Sequence, residues 1–403
     1  MLRAYKYRIY PTDGQKEMFA KTFGCCRFVY NWALGLKISV YKEKKKTLGK
    51  KEIQSMLVSE LKKQYDWLQE VNSQSLLFSL KALDTSYKNF FRDVHHVGFP
   101  KFKSRKNEQK FHCPQHCNVN WKNSFLTIPK VKNIPIKLHR KFRGIIKDVT
   151  ISMSPSGKYY ASILADTSIE EIPVTTIEGK TAVGIDLGVK SLAVCSDGRT
   201  FENNKYLKRS LDRLAFLQKS LSRKKKGSSN RNKARIKVAR LQESITNRRK
   251  DILHKITHTL THDNQVKTIC IEDLNVKGMT KNHQLAQSIN DASFGLFATM
   301  LEYKCKWYGI NLIKIDRFAP SSKTCSKCGT IYKGLKLSER SWTCQQCGTH
   351  HDRDLNAAIN IKEFGLKALS SERGKVKSAE TSTMDDRALH LKSSMPKKQK
   401  KIG

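Results

Sequence analysis

The sequence predicts a multidomain α+β protein, and three observations support this class. The chain has 403 residues, which corresponds to roughly two or three folding units. Short segments rich in β-forming residues alternate with longer segments of helical period. Two cysteine pairs between residues 325 and 347 indicate a small metal-bound unit within the fold.

Composition and charge restrict the class of function. Hydrophobic residues form 38% of the chain, which is enough for a buried core, and 77 Lys or Arg against 35 Asp or Glu leave a net charge of +42. A charge this large favours a polyanionic partner, and nucleic acid is the obvious candidate. No run of 18 apolar residues is present, and Met1–Arg8 lacks the apolar core of a secretory signal, so we expect neither a membrane span nor secretion.

The first predicted element is a β-strand over residues 2–10, which mix aromatic and β-forming residues with cations. Pro11 ends this strand, and Thr12 with Gln15 has the spacing of a helix-capping pair. Helical period then runs through residues 18–98 in apolar stripes, which we interpret as the core of a helical domain. The helical segments lie near residues 19–33, 51–63 and 73–92.

The pattern changes over residues 99–172 to short β-rich segments separated by Gly, Pro, Ser and Asn. Residues 152–158 have the composition of a hairpin turn between two strands. We predict a small antiparallel sheet or barrel here. Because another strand precedes the helices, residues 1–17 and 99–172 are predicted to form one β-rich domain into which the helical domain 18–98 is inserted.

A second sheet is predicted after a linker at residues 173–179. Its strands are expected in three segments joined by tight glycine-containing turns, followed later by a fourth strand and two helices. The strands are predicted at 181–189, 191–198, 200–203 and 267–272, and the helices at 291–308 and 354–365. The final segment, 368–403, is rich in Ser and Lys without period, which predicts a basic flexible tail.

The segment between the third and fourth of these strands is strongly basic. Residues 205–262 hold 18 Lys or Arg and 3 Asp or Glu, a net charge of 18 − 3 = +15, on two predicted helices joined by a polar bend at 223–232. A solvated helix face is the alternative, but it rarely carries this much charge, so we expect contacts with nucleic-acid phosphates. The candidate nucleic-acid-binding residues are Arg223, Lys224, Lys225, Lys226, Arg231, Arg235, Arg248 and Arg249.

The cysteine pairs Cys325-x2-Cys328 and Cys344-x2-Cys347 are separated by 15 residues, and a glycine follows each pair. Four thiolates complete a tetrahedral Zn²⁺ site and leave no open position, so the spacing predicts a structural zinc ribbon. The chain has eleven cysteines, an odd number, and the spacing of these four suits a metal site. Both observations favour a reducing compartment over a disulfide framework. A second group, at residues 113, 116 and 117, lacks a paired turn, and we predict no metal there.

Three acidic residues stand out in a chain that is poor in acid. Asp186 lies within the apolar strand pattern AVGIDLG, Glu272 ends the apolar run ICI, and Asp354 opens the helical segment that follows the cysteines. A carboxylate in such a strand is costly to bury unless it is paired or binds a cation. Three carboxylates brought together bind Mg²⁺, and metal ions held in this way support phosphodiester cleavage.

Each acidic residue also has an ordinary structural interpretation. Asp186 can be a turn residue before Gly188, Glu272 can pair with one of the many Lys or Arg, and Asp354 can be a helix N-cap. The order strand-Asp, basic helices, strand-Glu, cysteine module, helix-Asp favours the joint metal-binding interpretation.

The sequence resembles the TnpB family of transposon-encoded RNA-guided DNA endonucleases, which are relatives of the compact type V CRISPR effectors. The resemblance extends over about residues 2–361. It rests on the segments LRAYKYRIYPT, CCRFVYNW, GIDLGVKSLAVCSDG, IEDLNVKGM, SSKTCSKCG and CGTHHDRDLNAAINI.

The resemblance implies a RuvC-like nuclease domain of RNase H fold over residues 180–320 and 350–367, with the zinc ribbon at 321–349 inserted. It implies that the β-rich domain is a wedge domain and that the inserted helices form a recognition lobe. The three acidic motifs of the family fall on Asp186, Glu272 and Asp354, with Asp352 as the competitor for the third position. The family also implies a prokaryotic, cytoplasmic and nucleoid-associated protein.

We therefore predict an RNA-guided endonuclease that cuts DNA with catalytic Mg²⁺, a structural Zn²⁺ and a guide RNA transcribed from the transposon end. The guide would pair with one strand of the target DNA, and the protein would read a short duplex motif beside the target. We look for the motif-reading residues near Gln74–Lys81 and in the first strand. The alternatives are a guide-dependent DNA-binding regulator without cleavage and a transposase that joins DNA strands with the same acidic residues. A ribosome-associated basic protein would leave the acidic residues unexplained.

Overall fold

The computed structural model describes residues 1–170, 172–173, 177–263, 265–336 and 338–368. Residues 369–403, nearly all of the predicted tail, lie outside the described residues, as do residues 174–176 of the predicted linker. The chain divides into two compact units. The first contains Met1–Glu170 with Ser220–Arg240, and the second contains Glu171–Lys219 with the chain from Leu241 onward.

The first unit is built on an antiparallel sheet of seven strands in the order β2-β6-β7-β1-β5-β4-β3. The strands are β1 (Leu2–Ile9), β2 (Gln109–Cys113), β3 (Asn118–Asn120), β4 (Phe125–Ile128), β5 (Val131–Lys137), β6 (Ile145–Met153) and β7 (Tyr159–Asp166). The predicted hairpin turn joins β6 to β7, and Gly157 has the positive φ of +84° that the turn requires. The first strand and the strands of the 99–172 region therefore share one sheet.

Helices lie between β1 and β2 in the chain and share a hydrophobic core with the sheet. They are α1 (Asp13–Lys44), α2 (Lys50–Met56), a π-helical turn at Leu57–Leu61, α3 (Lys62–Gln64) and α4 (Ser73–Arg92). The predicted capping box is present, because Thr12 Oγ1 accepts from the amide of Gln15 while the Gln15 side chain accepts from the amide of Thr12. The rings of Phe19 and Phe23 on α1 lie 5.7 and 5.4 Å from that of Phe111 on β2.

The second unit contains a mixed sheet of five strands in the order β10-β9-β8-β11-β12. The strands are β8 (Ala182–Asp186), β9 (Ser191–Cys195), β10 (Thr200–Glu202), β11 (Thr268–Glu272) and β12 (Asn311–Ile315). Strand β8 is antiparallel to β9 and parallel to β11, which is in turn parallel to β12. Strand β12 was not predicted from the sequence. It forms because its backbone pairs with β11 over its whole length.

The helices of this region differ from the prediction at several points. They are α5 (Leu211–Ser222), α6 (Ser229–Thr261), α7 (Val276–Met279), α8 (His283–Ala292), α9 (Phe294–Tyr308) and α10, residues 353–368. Helices α7 and α8 were not predicted. The polar bend predicted at 223–232 is shorter, because Ser228 Oγ accepts from the amide of Arg231 and caps α6 early. The helix predicted at 291–308 begins at Phe294, because Ser293 takes a left-handed conformation and separates α8 from α9.

The cysteine module lies between β12 and α10 in the chain and carries a small hairpin, β13 (Ser341–Thr343) with β14 (His350–Asp352). Helix α10 begins directly after β14. Within the described ranges, none of the helices is long and apolar enough to cross a membrane.

Candidate functional site

Two of the predicted acidic residues end neighbouring parallel strands. The register pairs Ile185 of β8 with Ile271 of β11, so the next residues, Asp186 and Glu272, lie side by side at the same edge of the sheet. Both strands have the same burial pattern, four buried residues followed by a half-buried acid. Each carboxylate is therefore held at the end of an inner strand whose backbone is paired on both sides.

The third acidic residue, Asp354, lies in the first turn of α10. The carboxylate of Asp352 accepts hydrogen bonds from the backbone amides of Asp354 at 3.0 Å and Leu355 at 2.9 Å. Asp352 is thus the N-cap of α10, and the N-cap interpretation of Asp354 is wrong. The side chain of Asp354 is 27% exposed and lies 3.7 Å from the guanidinium of Arg340.

Two glycines bring α10 onto the sheet. A Cβ atom at Gly184 of β8 would lie 2.1 Å from the carbonyl oxygen of Ala358, and a Cβ at Gly365 would lie 2.6 Å from the Sγ of Cys270 on β11. Only a residue without a side chain permits such close backbone approach. Asp354 lies one helical turn before Ala358, and Asp186 lies two residues after Gly184, so the contact holds the start of α10 near the strand ends.

The three carboxylates act on one another electrostatically. The pKa of Asp186 is raised to about 7, first by burial and then by the negative charges of Glu272 and Asp354, while the nearby Arg353 opposes the shift. A carboxyl group with this pKa is partly protonated at neutral pH, so the protein's own cations do not fully compensate the cluster.

The neighbours of Glu272 exclude its alternative role. Ser321 Oγ donates a hydrogen bond of 2.6 Å to Glu272 Oε1, and no Lys or Arg of the described residues forms an ion pair with Glu272. The next acid, Asp273, takes that role and pairs with Arg317 at 2.6 Å.

These residues fit a site for divalent cations. Carboxylate oxygens are the donors that Mg²⁺ prefers, and the raised pKa of Asp186 shows that further positive charge would stabilise the cluster. Over the described part of the chain, the only group of three or more candidate metal-binding atoms within 4.8 Å of one another is the cysteine cluster. The carboxylates are thus spread more widely than the thiols.

The four predicted cysteines form one cluster, with all Sγ atoms within 4.8 Å of one another. The two pairs adopt the same turn. In each, the first Cys carbonyl accepts from the following glycine amide at 2.9 Å and the first Cys amide donates to the next Thr carbonyl at 2.9 Å. Gly329 and Gly348, with φ of +78° and +68°, permit this turn. The Sγ atoms of Cys328 and Cys344 lie 3.6 Å apart, as do those of Cys325 and Cys347.

The donor set of this cluster fits a tetrahedral zinc ion. Four sulfur ligands are typical of structural zinc sites, and an ion at their centre would hold the two turns together. His351 Nε2 lies 3.1 Å from the Sγ of Cys325, and a hydrogen bond of this kind orients a metal-binding sulfur.

The eight basic residues proposed to contact nucleic acid fall into two groups. Three have partners inside the protein. Arg231 donates to the carbonyls of Leu221 and Lys224, and Arg235 donates to the carbonyl of Pro155. Arg249 forms an ion pair of 2.8 Å with the buried Asp291. Five exposed residues have no such hydrogen bond within the described part of the chain: Arg223, Lys224, Lys225, Lys226 and Arg248. The second group has side chains free to reach a phosphate.

Sequence reasoning missed several polar residues that support the site. Ser321, Asn356 and Asn360 are 6%, 1% and 3% exposed, and Arg353 is the cation that acts on Asp186. The asparagines lie four residues apart within an otherwise apolar helical segment, so they share one face. Two buried amides at this spacing were the available signal for hydrogen bonds to a neighbouring segment.

Three family models match parts of the chain. The model described as "Probable transposase" matches residues 166–283, and "Cas12f1-like, TNB domain" matches residues 294–361. A model described as "Helix-turn-helix domain" matches residues 1–46, which in this structure form β1 and the single long helix α1.

Several known proteins are similar to the chain over nearly its whole length. A "Putative RNA-guided DNA endonuclease" of Streptomyces pristinaespiralis is 41% identical over 370 residues, covering 91% of this chain and 90% of the relative. "Putative RNA-guided DNA endonuclease InsQ" of Escherichia coli K12 is 34% identical, covering 92% of this chain and 94% of the relative. The solved Cas12f1-sgRNA-target DNA complex matches with a TM-score of 0.57 at 14% identity, covering 90% and 98% of the two chains, which indicates a shared fold.

Proposed function

This chain belongs to the TnpB family of RNA-guided DNA endonucleases, and we propose that it cuts DNA at the cluster of Asp186, Glu272 and Asp354. The observation that supports this site best is the half-buried Asp186, whose pKa is raised to about 7 by burial and by the other two carboxylates. A carboxyl group with such a raised pKa at the end of an inner strand is typical of a functional site rather than of a stabilising ion pair.

The proposed roles of the residues follow from their chemistry. Asp186, Glu272 and Asp354 would hold Mg²⁺ through their carboxylate oxygens, with Asp186 losing its proton on binding. When bound, the ions would supply an activated water and stabilise the charge of the leaving 3′ oxygen. The chain needs no nucleophile of its own for this reaction, and Arg353 would limit the repulsion between the carboxylates.

We also propose an identity for each domain from its sheet topology and its cysteines. The mixed sheet, with β10, β9 and β8 antiparallel and β8, β11 and β12 parallel, supports a RuvC-like nuclease domain of RNase H fold. The four cysteines would bind structural Zn²⁺ in a ribbon inserted before α10. The seven-stranded sheet would be the wedge domain, and α1 to α4 would form the recognition lobe.

The proposed partners are a guide RNA and the DNA that pairs with it. The net charge of +42 and the exposed cations of the 223–226 bend support binding to the phosphates of an RNA–DNA heteroduplex. Base pairing with the guide would read the target sequence, so the protein needs few base-specific contacts of its own.

The test uses the full chain purified with the RNA that accompanies it, and that RNA is sequenced to identify the guide. We expect the complex to cut a guide-matched plasmid in the presence of Mg²⁺. Asp186→Ala should abolish cutting and retain RNA binding. The matched control is Asp251→Ala, since Asp251 is an exposed acid of α6 that pairs with Lys255. Unchanged cutting by Asp186→Ala would refute the site.

The same assay separates the two alternative functions. A regulator that only binds DNA would protect the guide-matched site in the wild-type protein without nicking it. A transposase would join a donor DNA end to a target without guide RNA. Metal-dependent cutting that requires the guide supports the endonuclease over both.

A further inference from the structure

Glu272 has a dedicated hydrogen-bond donor in the second unit. Ser321 Oγ donates to Glu272 Oε1 at 2.6 Å, and the Ser321 residue is 6% exposed. Hydrogen bonds to a charged acceptor at this length are about twice as strong as neutral ones. Over the described residues, Oε2 of Glu272 accepts no hydrogen bond. The serine therefore fixes the orientation of the carboxylate through Oε1 and leaves Oε2 open to a cation.

Ser321 is itself fixed through its backbone to α10. Asn360 Nδ2 donates to the carbonyl of Ser321 at 2.7 Å and to that of Thr324 at 2.6 Å. Asn356 Nδ2 also donates to the Thr324 carbonyl at 2.8 Å, and its Oδ1 accepts from the amide of Ser326 at 3.0 Å. Both asparagines are almost fully buried, so these bonds are shielded from water.

The hydrogen-bonded chain joins two parts of the proposed metal site. Glu272 ends β11, whereas Asp354 lies on α10, six residues before Asn360. Because Asn360 holds Ser321 and Ser321 holds Glu272, the helix that carries Asp354 also fixes the orientation of Glu272. A shift of the serine segment would change the distance between the two carboxylates.

We propose that Ser321 is a positioning residue for Glu272 and sets the affinity of the acidic cluster for divalent cations. The inference rests on the proposed function. Groups that hydrogen-bond a metal-binding carboxylate fix its orientation, and their loss typically weakens metal affinity by roughly 10- to 100-fold. The serine touches no reacting atom, so its effect acts through Glu272 alone.

The test measures Mn²⁺ binding by electron paramagnetic resonance on the full chain with its guide RNA. The Asp186→Ala complex gives the background of ions bound to RNA. Ser321→Ala should raise the dissociation constant of Mn²⁺ by roughly 10- to 100-fold. Ser321→Thr keeps the hydroxyl and should stay within a few-fold of the wild-type value. Ser321→Cys is the substitute if Ser321→Ala does not fold, because cysteine is close to serine in volume but is a weak donor. It should raise the dissociation constant of Mn²⁺ in the same way.

Thr324→Val is the matched control. Thr324 is 7% exposed in the same segment, but its hydroxyl donates to the carbonyl of Pro320 at 2.8 Å and not to a carboxylate. A role in packing alone predicts that Ser321→Ala and Thr324→Val lower thermal stability alike and leave Mn²⁺ affinity unchanged. That result would overturn the inference.

Cleavage provides the second measurement. The Mg²⁺ concentration for half-maximal cutting should rise by the same factor in Ser321→Ala, while the rate at saturating Mg²⁺ stays within a few-fold of wild type. If the wild-type complex does not cut, the proposed function fails. If it cuts and Ser321→Ala needs no more Mg²⁺ than wild type, only the role of Ser321 fails.

Discussion

The contact between α10 and β8 gives the most specific prediction, because backbone atoms of the two elements pack directly against each other. In Gly184→Ala, the new Cβ would lie 2.1 Å from the Ala358 carbonyl oxygen and 2.6 Å from the Lys362 amide nitrogen. A carbon–oxygen contact normally needs about 3.3 Å, so the helix must retreat by about 1.2 Å. No side chain can rotate to relieve a clash with the backbone.

The expected cost has two parts. Overpacking of this kind lowers the free energy of unfolding by about 1–3 kcal/mol. A displacement of about 1 Å in a catalytic group slows the reaction by about 100-fold, and Asp354 lies one turn from the contact. We therefore expect Gly184→Ala to cut a guide-matched plasmid about 100-fold more slowly at a temperature where it remains folded.

The assay pairs single-turnover cleavage with urea unfolding. Gly24→Ala is the control, since a Cβ at Gly24 in α1 meets no atom within 4 Å, and we expect its cleavage rate to match the wild type. Gly365→Ala offers a second check, because its Cβ would meet Cys270 Sγ at 2.6 Å. Adding Cys270→Ala should restore part of its activity. Wild-type cleavage and stability in Gly184→Ala would refute the argument that this contact positions Asp354.

Four further predictions follow from the charges and the cysteines. At subsaturating Mg²⁺, cleavage should rise with pH through about 7 as Asp186 loses its proton, and higher Mg²⁺ should move the midpoint to lower pH; a midpoint independent of Mg²⁺ would contradict the role of Asp186. Without added Mg²⁺, the contribution of Asp186 to stability should fall from about pH 4 to pH 7, since the folded state retains a proton that the unfolded state has lost. The melting temperature of the wild type relative to Asp186→Asn should therefore fall over this range. Cys344→Ser should lose bound zinc, measured by elemental analysis, and lower the melting temperature, whereas an unchanged melting temperature would exclude a folding role for the metal. Changing all four cations of residues 223–226 to Gln should weaken RNA binding and reduce its salt dependence by roughly one unit of log–log slope per lost phosphate contact, and an unchanged slope would show that this bend makes no such contact.

Local features of the fold were predictable because their signals lie in short stretches of sequence. The β-formers before Pro11 predicted β1, and the spacing of Thr12 and Gln15 predicted the cap of α1. The helical period of residues 73–92 matches the bounds of α4. The doubled cysteine spacing predicted a cluster that the structure forms with every sulfur within 4.8 Å of the others. In each case the deciding interactions are between residues close in the chain.

Other features depended on partners far apart in the chain. Strand β12 has little pattern of its own and is defined by pairing with β11. Besides burial, the raised pKa of Asp186 likewise depends on Glu272 and Asp354, which lie 86 and 168 positions further along the chain.

By itself, the sequence determined most of the element types, the family and the three acidic candidates. The tertiary structure alone decided that Gly184 admits the backbone of α10 and that Ser321 holds Glu272 across 49 positions of sequence. The physical reason is that the pKa of a carboxylate and its orientation depend on the charges, donors and burial that surround it in space. Those surroundings come from segments that are distant in sequence, and no local sequence pattern shows that they lie together in the fold.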